Sequence, residues 1–103
     1  MSDIQHYPAW DEIVTYGEDG PGKQVLSQSD TLKYVLVGLG AGQRIPPHPA
    51  STTVFHVLEG NGWIIVDGER TPIKARETIV VPADIPRGLE ADTRMTLLVT
   101  HGA

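Results

Sequence analysis

Glycine and proline interrupt this sequence at short intervals, and the segments between them are rich in β-branched side chains. The chain of 103 residues contains 11 glycines and 8 prolines, spread along its length. Both residue types weaken a helix interior, so little room is left for long helices. Short strands joined by tight turns are typical of an all-β sandwich or barrel.

The segments between these breaks are predicted to be strands: 12–16, 23–28, 32–39, 52–59, 62–68, 70–75, 77–82, 87–91 and 94–101. A single helical turn is predicted within 6–13. Gly60 and Asn61 accept positive φ, and Asp67 with Gly68 is a hairpin signal. We therefore expect one all-β domain over residues 1–103.

Several predicted strands are apolar on both faces, as in 54–58, 63–66 and 78–81. One face of each strand must line the interior, and the other must be covered as well. A chain of 103 residues has little spare material for that cover. We therefore expect a homodimer whose sheets pack across the interface.

Composition and charge exclude several classes of protein. Eight basic against thirteen acidic side chains give a net charge of −5 without a basic cluster, so a nucleic-acid partner is not expected. The absence of cysteine excludes disulfides, zinc–thiolate sites and thiol nucleophiles. No stretch approaches the ~20 apolar residues of a membrane span, and the first residues lack the pattern of a signal peptide. We expect a cytoplasmic protein that binds a small molecule, with no membrane partner.

The order of motifs between residues 42 and 91 resembles the cupin superfamily. A glycine is followed by His48, a strand ending in "VLEG" at 57–60, a hairpin through "VDGE" at 66–69 and the segment "VVPADIPRG" at 80–88. The resemblance implies a double-stranded β-helix, which is a jelly-roll barrel. It is specific for fold and weak for function, because this fold hosts isomerases, dioxygenases, storage proteins and sensors.

Most of the metal-ligand positions that the resemblance implies are replaced. The first histidine ligand falls on His48, but the second falls on Ala50, the carboxylate on Thr53 and the last histidine on Arg87. A divalent metal normally needs at least three protein ligands, and a guanidinium would sit where the metal charge belongs. We therefore expect no metal and no cofactor.

His48, Thr53 and Arg87 are predicted to bind the ligand instead. Prolines on both sides stiffen the segment of His48, and its imidazole can act as an acid or a base near neutrality, so His48 is the candidate catalytic residue. An inward-facing Arg87 needs a partner. That partner is an anionic ligand or a native carboxylate such as Glu77 or Asp84, unless the side chain is exposed.

The other histidines are given lesser roles. If Thr53 faces the interior, strand alternation directs His56 outward, beside Val54 and Leu58 on the expected dimer face. His6 and His101 lie near the termini and are interpreted as incidental.

The favoured function is binding of a small, anionic molecule in a cupin-like barrel that lacks the usual metal. An arginine that stabilises an oxyanion beside a histidine that moves a proton would support isomerase or cyclase chemistry. The sequence does not decide whether the protein converts the molecule that it binds. The alternative is a metal-dependent cupin oxygenase or isomerase with a rearranged site of His48, His56 and either Glu59 or a water. A ligand-free structural barrel is a third possibility.

Overall fold

The computed structural model describes residues 4–102, which form two antiparallel sheets and one short helix. The elements are α1 (Trp10–Ile13), β1 (Gly22–Gln28), β2 (Leu32–Leu39), β3 (Arg44–His48), β4 (Thr53–Glu59), β5 (Asn61–Val66), β6 (Glu69–Lys74), β7 (Thr78–Val81), β8 (Arg87–Ala91) and β9 (Met95–Gly102). One sheet has the strand order β1-β2-β9-β4-β7, and the other has the order β3-β8-β5-β6. This is the predicted all-β jelly-roll barrel.

Side chains from both sheets meet in one apolar core. In β4, Thr53, Phe55 and Val57 are buried while His56 is exposed, as strand alternation predicts. The buried core residues are Val35, Val37, Leu39, Phe55, Val57, Ile64, Ile73, Val81, Leu89, Ala91, Met95, Leu97 and Val99. The inner faces of the two packed sheets therefore form the interior of the protein.

The turns have the predicted backbone chemistry except at Asn61, which begins β5 and does not have a positive φ. Asp67 and Gly68 have φ of 50° and 82° in the two-residue loop between β5 and β6, which is typical of a tight hairpin. Asp84 lies in the loop between β7 and β8, and its φ is 70°. Aspartate visits this left-handed region more readily than most residues, so the loop adopts this conformation without a glycine.

The strand predicted at 12–16 is wrong. Residues 12–13 end α1, and residues 14–16 pair with no strand of the described chain. A Cβ built on Gly22 or Gly38 would lie 2.0 or 2.2 Å from the carbonyl oxygen of Thr15. The Tyr16 hydroxyl lies 2.5 Å from Thr96 Oγ1. This segment therefore packs across the sheet formed by β1, β2 and β9 instead of joining it.

Strand β3 is missing from the sequence prediction because it contains two consecutive prolines, which have no N–H to donate to a neighbouring strand. It nevertheless pairs with β8, and the register shifts between Ile45 and His48. In this pairing His48 lies directly opposite Arg87. The irregular strand thus brings two predicted site residues together.

The outer face of β4 and β7 carries an open apolar pair of side chains. Val54 and Val80 are cross-strand neighbours, and Val80 is 60% exposed.

Within residues 4–102, no helix is long and apolar enough to cross a membrane.

Candidate functional site

A cavity of about 130 Å³ lies between the two sheets. Its apolar wall includes Val35, Val37, Ile45, Phe55, Leu89 and Val99. Its polar lining consists of basic side chains from five strands: Lys23 of β1, Lys33 of β2, His48 of β3, Arg87 of β8 and His101 of β9. No aspartate or glutamate of the described chain lines it. The cavity therefore combines an apolar interior with an excess of positive charge.

The pKa of His101 reports this environment. It is lowered from the ordinary value, first by burial and then by electrostatic interactions with the basic groups of Lys33, Arg87, His48 and Lys23. Burial and nearby cations both disfavour an imidazolium. The imidazole of His101 is therefore neutral at pH 7 and can accept a hydrogen bond or a proton.

Arg87 is buried, at 2% exposure, and is fixed by four hydrogen bonds. Its Nε donates to the Ile85 carbonyl at 2.7 Å, and its Nη2 donates to the Pro82 carbonyl at 2.6 Å. Its Nη1 donates to the Ser51 carbonyl at 3.0 Å and to Thr53 Oγ1 at 2.8 Å. All four acceptors are neutral. The guanidinium is thus hydrogen-bonded, while its charge is not neutralised.

The hypothesis that Arg87 pairs with Glu77 or Asp84 is wrong, and so is the hypothesis that it is exposed. Glu77 instead accepts a hydrogen bond from the backbone N–H of Lys74 at 2.9 Å. The ion pairs found in residues 4–102 lie outside the cavity and are Arg70–Glu90 and Arg94–Glu59. Backbone carbonyls can hold a guanidinium in place without cancelling its charge, so the charge of Arg87 is available to an anion.

Thr53 supports this arrangement from behind the cavity wall. Its Oγ1 donates to the Ser51 carbonyl at 2.9 Å, accepts from Arg87 and lies 3.1 Å from His101 Nδ1. Thr53 is fully buried and does not line the cavity. Its position suits it to hold Arg87 and His101, and its predicted contact with a ligand stays a prediction.

The interpretation of His101 as incidental is wrong, because His101 lies opposite Thr53 in the pairing of β4 with β9 and lines the cavity. The sequence contains a signal for this position. Leu97, Val99 and His101 alternate along the last predicted strand, so they share one face. Nearness to the chain end gives no reason to discount that face.

The rearranged metal site of His48, His56 and Glu59 is not assembled. His56 lies on the outer face of β4, where its Nδ1 is 2.9 Å from Thr78 Oγ1, and Glu59 pairs with Arg94. Of the histidines, cysteines, aspartates and glutamates in residues 4–102, no three are grouped so that they could hold a metal ion.

Several solved structures are similar to this chain over nearly its whole length. A protein of unknown function from Streptococcus pyogenes, SPY1581, is 26% identical with a TM-score of 0.86, over 98% of this chain and 91% of that one. An RmlC-like cupin from Desulfovibrio desulfuricans is 28% identical with a TM-score of 0.85, over 98% and 97%.

Two further matches are partial. A salicylate 1,2-dioxygenase from Pseudoaminobacter salicylatoxidans is 28% identical with a TM-score of 0.72, over 80% of this chain and 26% of that one. The uncharacterised protein MJ1618 of Methanocaldococcus jannaschii is 28% identical over 60 residues, which are 58% of this chain and 48% of that protein. The match thus spans about half the length of this curated relative.

The family comparison agrees with the topology and the motif order. The family model described as the cupin domain matches residues 34–101, from β2 through most of β9. The chain belongs to the cupin family.

Proposed function

We propose that this protein binds a small carboxylate with a compact apolar body in the cavity between its sheets, and that it does so without a bound metal. The observation that carries the proposal is the lining: five basic side chains over an apolar wall, with no aspartate or glutamate from residues 4–102. A ligand with one anionic end and one apolar end matches both parts. The cavity of about 130 Å³ is close to the ~150 Å³ at which an apolar protein cavity holds benzene.

The polar side chains at the cavity have different proposed roles, according to their positions. Arg87 supplies a fixed buried charge, and Lys23 and Lys33 add flexible charges from β1 and β2. His48 supplies a polar contact from β3, and Thr53 holds Arg87 and His101 in place. The name of one structural neighbour, salicylate 1,2-dioxygenase, specifies an aromatic carboxylate for that protein. This neighbour supports the size and charge of the proposed ligand.

Calorimetric titration with benzoate, benzyl alcohol and benzylamine tests the proposal, because the three compounds differ mainly in charge. We expect benzoate to bind, benzyl alcohol to bind at least ~10-fold more weakly and benzylamine not to bind, since charges attract strongly in a partly buried site. Added salt should weaken benzoate binding.

The lysines provide matched variants for this titration. Lys33→Met removes a charge from the cavity lining and should weaken benzoate binding, whereas Lys74→Met on β6 removes a charge outside it and should not. Equal affinity for benzoate and benzyl alcohol would contradict the proposal, as would an absence of binding.

A second candidate function is proton transfer on the bound anion, of isomerase or cyclase type. His101 is held neutral among cations, and such an imidazole can take a proton from a carbon next to a carbonyl group. The electron pair left behind would move to an oxygen beside Arg87, whose charge stabilises it. His48, opposite Arg87 in the sheet, would return a proton to the ligand from Nε2 after taking one from solvent, and His101 would release its proton to solvent.

We also propose that the protein forms a homodimer through the outer face of β4 and β7, because Val54 and Val80 form an open apolar pair there. Val80→Lys should convert the dimer to a monomer, as measured by light scattering at micromolar concentration. Leu32→Lys is the control, because Leu32 is an exposed apolar residue at 41% exposure on β2. A monomeric wild type would contradict this proposal.

A further inference from the structure

The hydrogen bond of His48 fixes which of its ring nitrogens carries the proton. Its Nδ1 lies 3.1 Å from the Pro46 carbonyl oxygen. A carbonyl oxygen can only accept, so Nδ1 must be the donor. In the neutral imidazole the lone pair then lies on Nε2. His48 therefore offers the cavity a hydrogen-bond acceptor.

The same reasoning applies to His101 through Thr53. The hydroxyl of Thr53 has one hydrogen, which it donates to the Ser51 carbonyl, and it also accepts from Arg87. Its remaining lone pair faces His101 Nδ1 at 3.1 Å, so Nδ1 carries the proton. His101 therefore also has its lone pair on Nε2.

Both Nε2 atoms are free to meet a ligand. Both histidines line the cavity, and neither Nε2 has a hydrogen-bond partner within residues 4–102. A simple carboxylate would satisfy the cations and leave these two acceptors without a donor. A ligand that fully matches the lining must therefore bring a donor as well as an anion.

We infer that the preferred ligand is a small hydroxy acid, whose carboxylate meets Arg87 and the lysines and whose hydroxyl donates to Nε2 of His48 or His101. The inference rests on the proposed function, since the same cavity holds both groups. It adds a requirement that a charged, apolar-lined cavity alone does not impose. That requirement is an O–H on the apolar body.

Pairs of carboxylates that differ only by hydroxyl against methyl test this inference. The probes are 3-hydroxybenzoate against 3-methylbenzoate, and 2-hydroxyisobutyrate against pivalate, titrated at pH 8, which lies above the ordinary pKa of an imidazole. The members of each pair have nearly equal size. In the pair whose members bind more tightly overall, we expect the hydroxyl compound to bind about 10-fold more tightly than its methyl counterpart. One added hydrogen bond provides a difference of this size.

Asparagine and glutamine variants assign the hydroxyl contact. His48→Asn and His101→Asn keep an amide near the position of Nδ1 and leave no group at Nε2, whereas the glutamine variants extend an amide to about Nε2. The ratio of the affinity for the hydroxyl compound to that for the methyl compound should fall toward 1 in the asparagine variant of the histidine that accepts the hydroxyl hydrogen bond. It should recover in the corresponding glutamine variant.

The outcomes separate this inference from the proposed function. Equal binding of hydroxyl and methyl partners by the wild type overturns the inference and leaves the proposed function standing. If neither benzoate nor any of the four compounds binds, both fail. A preference that survives in both asparagine variants overturns the assignment to the imidazoles. If a variant does not fold, the comparison on the wild type still decides.

Discussion

Replacing Arg87 with methionine is expected to lower the free energy of unfolding by about 3 kcal/mol and to abolish benzoate binding. The carbonyls of Ser51, Pro82 and Ile85 would each lose a charged donor, and such hydrogen bonds contribute about 1.5–3 kcal/mol each. Removing a buried charge offsets part of this loss. A guanidinium without partners would give the opposite result, because methionine would then stabilise the chain. Urea denaturation distinguishes the two.

Two variants serve as controls for this measurement. Arg44→Met removes an exposed arginine from β3, the strand that pairs with β8, and should change stability by less than about 0.5 kcal/mol. Arg87→Lys keeps the charge and loses the planar fork of donors, so it should retain part of the benzoate affinity while losing stability. Unchanged stability in Arg87→Met would contradict the observed hydrogen-bond network.

Replacing Gly60 with alanine is expected to cost about 4 kcal/mol or more of folding stability, a loss of the size seen when backbone cannot move away from a clash. Gly60 has a φ of 83°, and a Cβ there would lie 1.9 Å from the carbonyl oxygen of Arg94. Both residues are directly bonded to strand residues, since Gly60 joins β4 to β5 and Arg94 precedes β9, so the neighbouring strands restrict how far either can move.

Gly68→Ala is the matched control for Gly60→Ala. Gly68 has nearly the same φ, 82°, but a Cβ there meets no atom within 4 Å. Its substitution should cost only the ~1–2 kcal/mol of a left-handed alanine. The difference between the two denaturation midpoints therefore measures the close approach to Arg94. Equal losses in the two variants would show that the contact is unimportant.

The fold was largely predictable because alternation and turn chemistry are local signals. The hairpin at Asp67 and Gly68 and the inward face of Thr53, Phe55 and Val57 follow from neighbouring residues alone. The strand predicted at 12–16 was wrong because the conformation of this segment depends on Gly22 and Gly38. These two glycines, which lie outside the segment, allow it to cross the sheet. Strand β3 was missed because proline is tolerated in strands mainly at sheet edges, strand starts and bulges, and only the strand order shows that β3 is an edge strand.

The candidate site was less predictable because its key contacts use backbone atoms or strands far apart in sequence. The partners of Arg87 are mostly backbone carbonyls. Residue identity does not indicate which backbone carbonyls point toward a guanidinium. His101 reaches Thr53 only because β9 is the neighbour of β4. Alternation places His101 on the inner face, but only the strand order shows which groups it meets there.

The prolines of the four-stranded sheet have a consequence for self-association. Its two edge strands are β3 and β6, and both carry proline, at Pro46 and Pro47 in one and at Pro72 in the other. A proline at a sheet edge removes a donor that an incoming strand from another molecule would need. Growth of this sheet by strand addition is therefore blocked on both sides. Intermolecular pairing of that kind is confined to β1, which contains an irregular register near Leu26, and to the four-residue strand β7.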